Sequence, residues 1–157
     1  MKIKVNNGFT IVELLIGIIA AAILALTAGT MLINGYKGWV RSLALADMER
    51  DAAVAIHTLD LAVRGATNAV PGTTLILTMA SNGVTRVFSA TGASPNKKSL
   101  AYNGMTLVNG RLVSFASTVT GSVVGVTMVL AGIDQNGQDT GVTMGVTNLY
   151  IRMRNWQ

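Results

Sequence analysis

The chain of 157 residues is 50% hydrophobic and only 12% charged, with 12 Lys and Arg against 7 Asp and Glu and no cysteine. That length accommodates one domain plus an anchor, and without cysteine neither a disulfide framework nor a thiolate metal site can form in any compartment. The net charge of +5 does not describe a nucleic-acid surface, because the basic residues are scattered and cluster only at Lys97-Lys98 and Arg152-x-Arg154, without a dense stripe interleaved with aromatics.

Residues 1–8, MKIKVNNG, are polar and carry Lys2 and Lys4 but no acid. Positive charge before a first span keeps that end cytoplasmic, although Lys37 and Arg41 beyond the span weaken the asymmetry. Behind Glu13, residues 14–33 form a run of 20 Leu, Ile, Ala, Gly, Thr and Met without one ionisable group. At a rise of about 1.5 Å per residue, a helix of this length crosses the roughly 30 Å hydrocarbon core of a bilayer. A secretory signal peptide has its small-residue cleavage site after the apolar run, whereas here Gly8 precedes it.

The helical pattern continues over 36–64, where Leu45, Met48, Ala52, Ala55, Leu59 and Ala62 recur at spacings of three and four and Ile56 and Val63 widen the stripe. Arg50, His57, Asp60 and Arg64 lie opposite, with Asp60 and Arg64 spaced for an i,i+4 pair. Gly65 suits a helix C-terminus that needs a left-handed residue. Gly29, Gly35 and Gly38 mark the expected kink or melting point, each costing about 1 kcal/mol relative to Ala.

After Pro71-Gly72 the texture becomes that of strands. Residues 73–80 and 84–90 are joined by Ser81-Asn82-Gly83, a hairpin signal. Residues 91–99 read as a loop, and further strands are expected at 100–102, 111–120, 123–130 and 142–153. Asn103-Gly104, Asn109-Gly110 and Gly121 punctuate them. A long helix followed by consecutive antiparallel strands is an α+β layout in which the sheet buries its inner face on the helix stripe.

Gly8-Phe9-Thr10-Ile11-Val12-Glu13-Leu14-Leu15 resembles the processing site of type IV pilins and pseudopilins: Gly before the cut, an aromatic after it, Glu as the fifth residue beyond it, then an apolar helix. The segment Tyr150-Ile-Arg-Met-Arg154-Asn155 resembles the closing strand of minor pilins and minor pseudopilins. Many major pilins carry a C-terminal disulfide and a proline in the middle of the helix; this chain has no cysteine and no proline before Pro71, so the likeness is to the minor subunits. The resemblance implies a prepilin leader at 1–8, a transmembrane and assembly helix at 9–34, its amphipathic continuation at 35–65 and a β-sheet domain at 72–157. It further implies cleavage between Gly8 and Phe9 by a prepilin peptidase, N-methylation of Phe9, and pairing of Glu13 with the Phe9 amine of its own or a neighbouring subunit. The partners implied are other pilin or pseudopilin subunits and an inner-membrane assembly platform. The subunit itself would stand in the bacterial cytoplasmic membrane with its C-terminal domain outside.

The remaining polar residues nominate little else. His57, the sole histidine, is read as a helix-surface group beside Asp60. Asp134, Asn136 and Asp139 place hard oxygens at close spacing, as calcium sites do, but lack the bidentate Glu and the spacing of an EF-hand; an Asn-Gly hairpin turn is the preferred reading. No catalytic constellation, nucleotide-binding motif or cofactor signature is present, so the expectation is a structural subunit of a pilus, type II secretion or competence filament and not an enzyme. The alternative is a singly anchored extracytoplasmic binding or adhesion module, with Lys97-Lys98, Arg152 and Arg154 as a contact for DNA or an acidic ligand.

Overall fold

The computed structural model describes residues 10–92, 97–134 and 136–155. One helix, α1 (Ile11–Arg64), is followed by seven strands: β1 (Ala66–Val70), β2 (Thr74–Met79), β3 (Thr85–Thr91), β4 (Lys98–Tyr102), β5 (Met105–Thr120), β6 (Val123–Ile133) and β7 (Asp139–Arg152). The strands form a single antiparallel sheet in sequential order, β1 to β7. The chain divides into two compact units, Met1–Trp39 and Val40–Gln157.

In the first unit, α1 is long and apolar enough to span a membrane, and none of its apolar stretch is buried. The Thr27 and Thr30 hydroxyls donate to the Leu24 and Thr27 carbonyls, at 2.9 and 2.8 Å, so neither is left unsatisfied among apolar neighbours. Helical structure continues through Gly29, Gly35 and Gly38 without the melting expected there.

The second unit is a helix-on-sheet layer, the α+β arrangement expected from the sequence. Ala44, Met48, Ala52, Ala55, Leu59, Ala62 and Val63 are the buried helix residues. All but Ala44 join one core cluster with Leu75, Leu77, Phe88, Leu100, Val108, Leu112, Val124, Met128 and Leu130. The stripe begins at Ala44 and not at Leu45, which is 40% exposed. A step of four back from Met48 reaches Ala44, and there β6 comes close. A Cβ on Gly132 would lie 3.2 Å from that of Ala44 and 2.6 Å from Thr140 Oγ1. Arg111 of β5 adds a polar tie, its Nη2 standing 2.8 Å from Asp47 Oδ2 and its Nη1 3.3 Å from Asp51 Oδ2. The expected Asp60–Arg64 pair forms, with Arg64 Nε at 2.7 and 2.8 Å from the two carboxylate oxygens.

Several boundaries differ from the sequence reading. The sheet starts before Pro71, at Ala66, opposite Met79. Gly65 is not left-handed; a Cβ there would lie 2.8 Å from Met79 Cε, the mobile end of that side chain. Asn103 and Gly104, both at positive φ, form the β4–β5 turn. Asn109-Gly110, by contrast, lies within β5, where Gly110 at φ 62° sits opposite a register shift and its N–H donates to Ser99 Oγ at 2.9 Å. It makes a bulge, not a turn.

Removing residues 1–35 should leave a soluble, folded protein, since the helix stripe that remains is covered by the sheet. In that fragment Arg111→Ala should cost about 2 kcal/mol in urea unfolding, because Asp51, largely shielded from water, then keeps only its 3.6 Å contact with the exposed Arg50. A change within about 0.5 kcal/mol would show that the tie adds nothing.

Candidate functional site

The chemistry-bearing residues fall into three places, and the first is the leading turn of α1. Thr10 precedes the helix and its carbonyl accepts the first helical bond, from Leu14 N at 3.1 Å. Thr10 Oγ1 accepts from Glu13 N at 3.2 Å, while Glu13 Oε2 accepts from both Thr10 N and Thr10 Oγ1 at 3.0 Å. This reciprocal arrangement is a capping box, in which residues three apart satisfy each other's orphan donors. The sequence announced it as Thr-x-x-Glu ahead of an apolar run, a signal that the reading of Glu13 as a pairing carboxylate passed over. Both bonds fall on Oε2; Oε1 has no hydrogen bond among the described residues. Gly8 and Phe9, the expected processing site, lie outside the described residues.

At the far end of the apolar stretch, Tyr36 and Trp39 stand three residues apart with ring centroids 6.3 Å from each other. Both are more than half exposed. An aromatic pair next to Lys37, just past an uncharged span, is what a membrane–water interface selects.

The second place is the β6–β7 loop. Asp134 Oδ1 accepts Asn136 N at 2.9 Å and Gln138 N at 2.7 Å, and Asp134 N and O bond Gln138 O and Gly137 N. Gly137 is at φ 74°, which the turn requires. Asp139 Oδ1 faces the other way along the chain, accepting Gly141 N at 2.8 Å. The two carboxylates are thus engaged by separate backbone donors, an arrangement that favours the turn over a cation site. Among the described residues, no three His, Cys, Asp or Glu side chains are grouped as a metal would need.

The third is the basic set, which the sheet divides. Lys98 pairs with Leu112, and Leu112 with Leu130, toward the end of the sheet that carries the β6–β7 loop, where Lys97 Nζ donates to Gly137 O at 2.5 Å. Arg152 pairs with Val123 at the other end. Leu130 faces Met144 on β7, so the two groups are separated by about eight residues of strand, roughly 26 Å. Lys97-Lys98 and Arg152-x-Arg154 therefore do not form one contact. His57 is exposed on α1, and both oxygens of nearby Asp60 are taken by Arg64.

Comparison of the chain with family models, with curated proteins and with solved structures gave no match.

Asp134→Ala should lower stability by about 1 kcal/mol through loss of the two backbone bonds to Oδ1. Thermal unfolding of wild type and variant, each with and without millimolar calcium chloride, checks this. A calcium-dependent rise confined to the wild type would instead make the loop a cation site.

Proposed function

We propose that the chain is a structural, non-catalytic subunit of a pilin-type filament, a minor pilin or minor pseudopilin of a pilus, type II secretion or competence system. The observation that carries this reading is the leading end of α1. α1 begins two residues after Phe9 with a single carboxylate, Glu13, in its first turn, and the apolar stretch behind it, residues 14–33, is uncharged and unburied. The helix then acquires a buried stripe under an antiparallel sheet, which supports a membrane segment and a globular domain carried by one helix. Tyr36 and Trp39, beside Lys37, support an interface at the end of the span.

In this reading the precursor waits in the cytoplasmic membrane with its C-terminal domain outside, and a prepilin peptidase cuts between Gly8 and Phe9. Glycine suits a narrow protease subsite because it presents no side chain. The new Phe9 amine, N-methylated but still charged, lies within one residue of the capping box. In this reading that amine, of the same or a neighbouring subunit, pairs with Glu13, whose Oε1 has no bond to any described residue. A carboxylate costs about 2.5–3.5 kcal/mol at the centre of a membrane helix and less toward its end. Pairing of Glu13 therefore favours docking over the isolated state to the extent that it enters the hydrocarbon. Subunits then associate through their apolar helices on an inner-membrane platform, driven by a separate ATPase.

The mature protein should begin at Phe9 and be heavier by one methyl group when measured by intact-mass spectrometry, and Gly8→Val should accumulate as full-length precursor. Glu13→Val should be cut and inserted normally but fail to crosslink to its filament partners. A protein that keeps Met1 in cells with an active prepilin peptidase would overturn the reading.

A further inference from the structure

Three arginines from two distant parts of the chain, the end of α1 and the end of β7, meet at one end of the sheet. Arg64 closes α1, Arg152 ends β7 and Arg154 follows it; with Ser122 of the β5–β6 turn and Met153 they line a cleft of about 610 Å³. The backbone fixes this end. Met153 N donates to Ser122 O at 2.8 Å, and Arg154 N to the Arg64 carbonyl at 3.4 Å.

Among the described residues the charges here are not balanced. Arg64 has Asp60, which occupies its Nε and leaves both terminal nitrogens available. Arg152 and Arg154 are exposed, and among the described residues neither has an ion pair and the Ser122 hydroxyl has no hydrogen-bond partner. Compensation of the negative end of α1 does not account for them. Arg64 already lies in the last helical turn, and the Arg154 backbone N–H, not its side chain, covers the helix carbonyl.

We infer that this cleft binds a phosphate group, held by the guanidinium groups of Arg64, Arg152 and Arg154 and by the Ser122 hydroxyl. Guanidinium forks bind oxyanions in pairs of parallel bonds. Three forks and a hydroxyl arriving from three chain segments offer donors around more oxygens than the two of a carboxylate, as a tetrahedral phosphate requires. The cleft is open to solvent, so a group attached to the phosphate can extend outward from it. The source is either a free phosphorylated solute or a lipid headgroup. The site is independent of whether the chain assembles into a filament.

The test uses the full chain, isotope-labelled, in nonionic detergent micelles. Inorganic phosphate is titrated at constant ionic strength, with chloride as the balancing ion, while the Ser122 amide and the Arg Nε–H signals are followed by NMR. Saturable shifts at Ser122, Arg152 and Arg154 are expected. Arg152→Gln with Arg154→Gln should weaken binding by about tenfold or more, the loss expected for charge-assisted bonds of 1.5 kcal/mol or above. Lys97→Gln with Lys98→Gln, at the other end of the sheet, should bind as wild type, and a dispersed amide spectrum shows that each variant is folded. A second arm places the chain in phosphatidylcholine nanodiscs with or without phosphatidylglycerol and no added phosphate. The same shifts in the anionic discs identify a lipid headgroup as the source, and their absence there with binding of free phosphate identifies a solute. No saturable response in either arm, or an equal loss in the lysine variant, overturns the inference.

Discussion

The globular unit depends on how closely the second half of α1 approaches the sheet. Four of its seven buried residues are alanines, at 44, 52, 55 and 62. Alanine favours the helix and takes almost no space, so the helix backbone can settle onto the strands. The sheet then supplies the bulk of the core: Phe88, Leu75, Leu77, Leu100, Leu112 and Leu130 are all fully buried. Interiors are packed to the density of organic crystals, so small residues on one layer require large ones opposite. At Ala44 the facing strand carries glycine, Gly132, where a Cβ would lie 3.2 Å from that of Ala44. Register shifts in the β1–β2, β4–β5, β5–β6 and β6–β7 pairs let the strands bend over this narrow ridge.

Apolar contact alone leaves a helix free to rotate or slide by small amounts on a sheet. Arg111 limits that freedom, because its fork needs Asp47 and Asp51 one helical turn apart on the same face. The arginine and Asp51 keep only 19% and 14% of their side-chain exposure. A pair this shielded returns little net stability after desolvation, so its main effect is on register. Asp60 and Arg64, more exposed and only i,i+4 apart, make a weaker and purely local contribution.

What could be read in the sequence was whatever repeats. The uncharged run, the three-four spacing of the helix stripe and the β-branched runs each extend over many residues, so one ambiguous position does not spoil them. The misreadings share a different cause: one short local signal serves several structures. Asn103-Gly104 and Asn109-Gly110 are the same dipeptide, but one closes a hairpin and the other bulges within β5, and only the pairing of β4 decides between them. A glycine after a helix suits a left-handed terminus, but Gly65 leads directly into β1 without positive φ. Leu45 loses its core position to the smaller Ala44 because of Gly132. Arg111 offered no local signal, since its partners precede it by 60 and 64 residues. The Thr10–Glu13 capping box was fully local and legible; attention to the wider motif obscured it. In that case the structure adds a role to Glu13 without removing the one expected, because the box uses a single carboxylate oxygen.

A sequential seven-stranded sheet that does not close into a barrel must also manage its two edges, which present unpaired backbone donors and acceptors to other chains. One edge, β1, is only five residues long. The other, β7, runs for 14 residues, and from Thr140 to Tyr150 it has neither a charge nor a proline, the usual guards of an edge. Protection comes from the backbone instead. Gly141 and Asn148 have φ of 71° and 60°, and the β6–β7 register shifts between Ala131 and Ile133 and again between Val126 and Met128, opposite these two positions. Regular pairing along β7 is thereby cut into two short runs, residues 149–152, which carry Arg152, and the stretch around residues 142–147. Within the latter Val142, Met144 and Val146 turn toward the core, and the outward positions are Thr143, Gly145 and Thr147, too small and polar to form an adhesive face. Charged guards would protect the edge through repulsion and hydration; bulges that break β7 into short runs instead limit how many consecutive bonds an added strand could make.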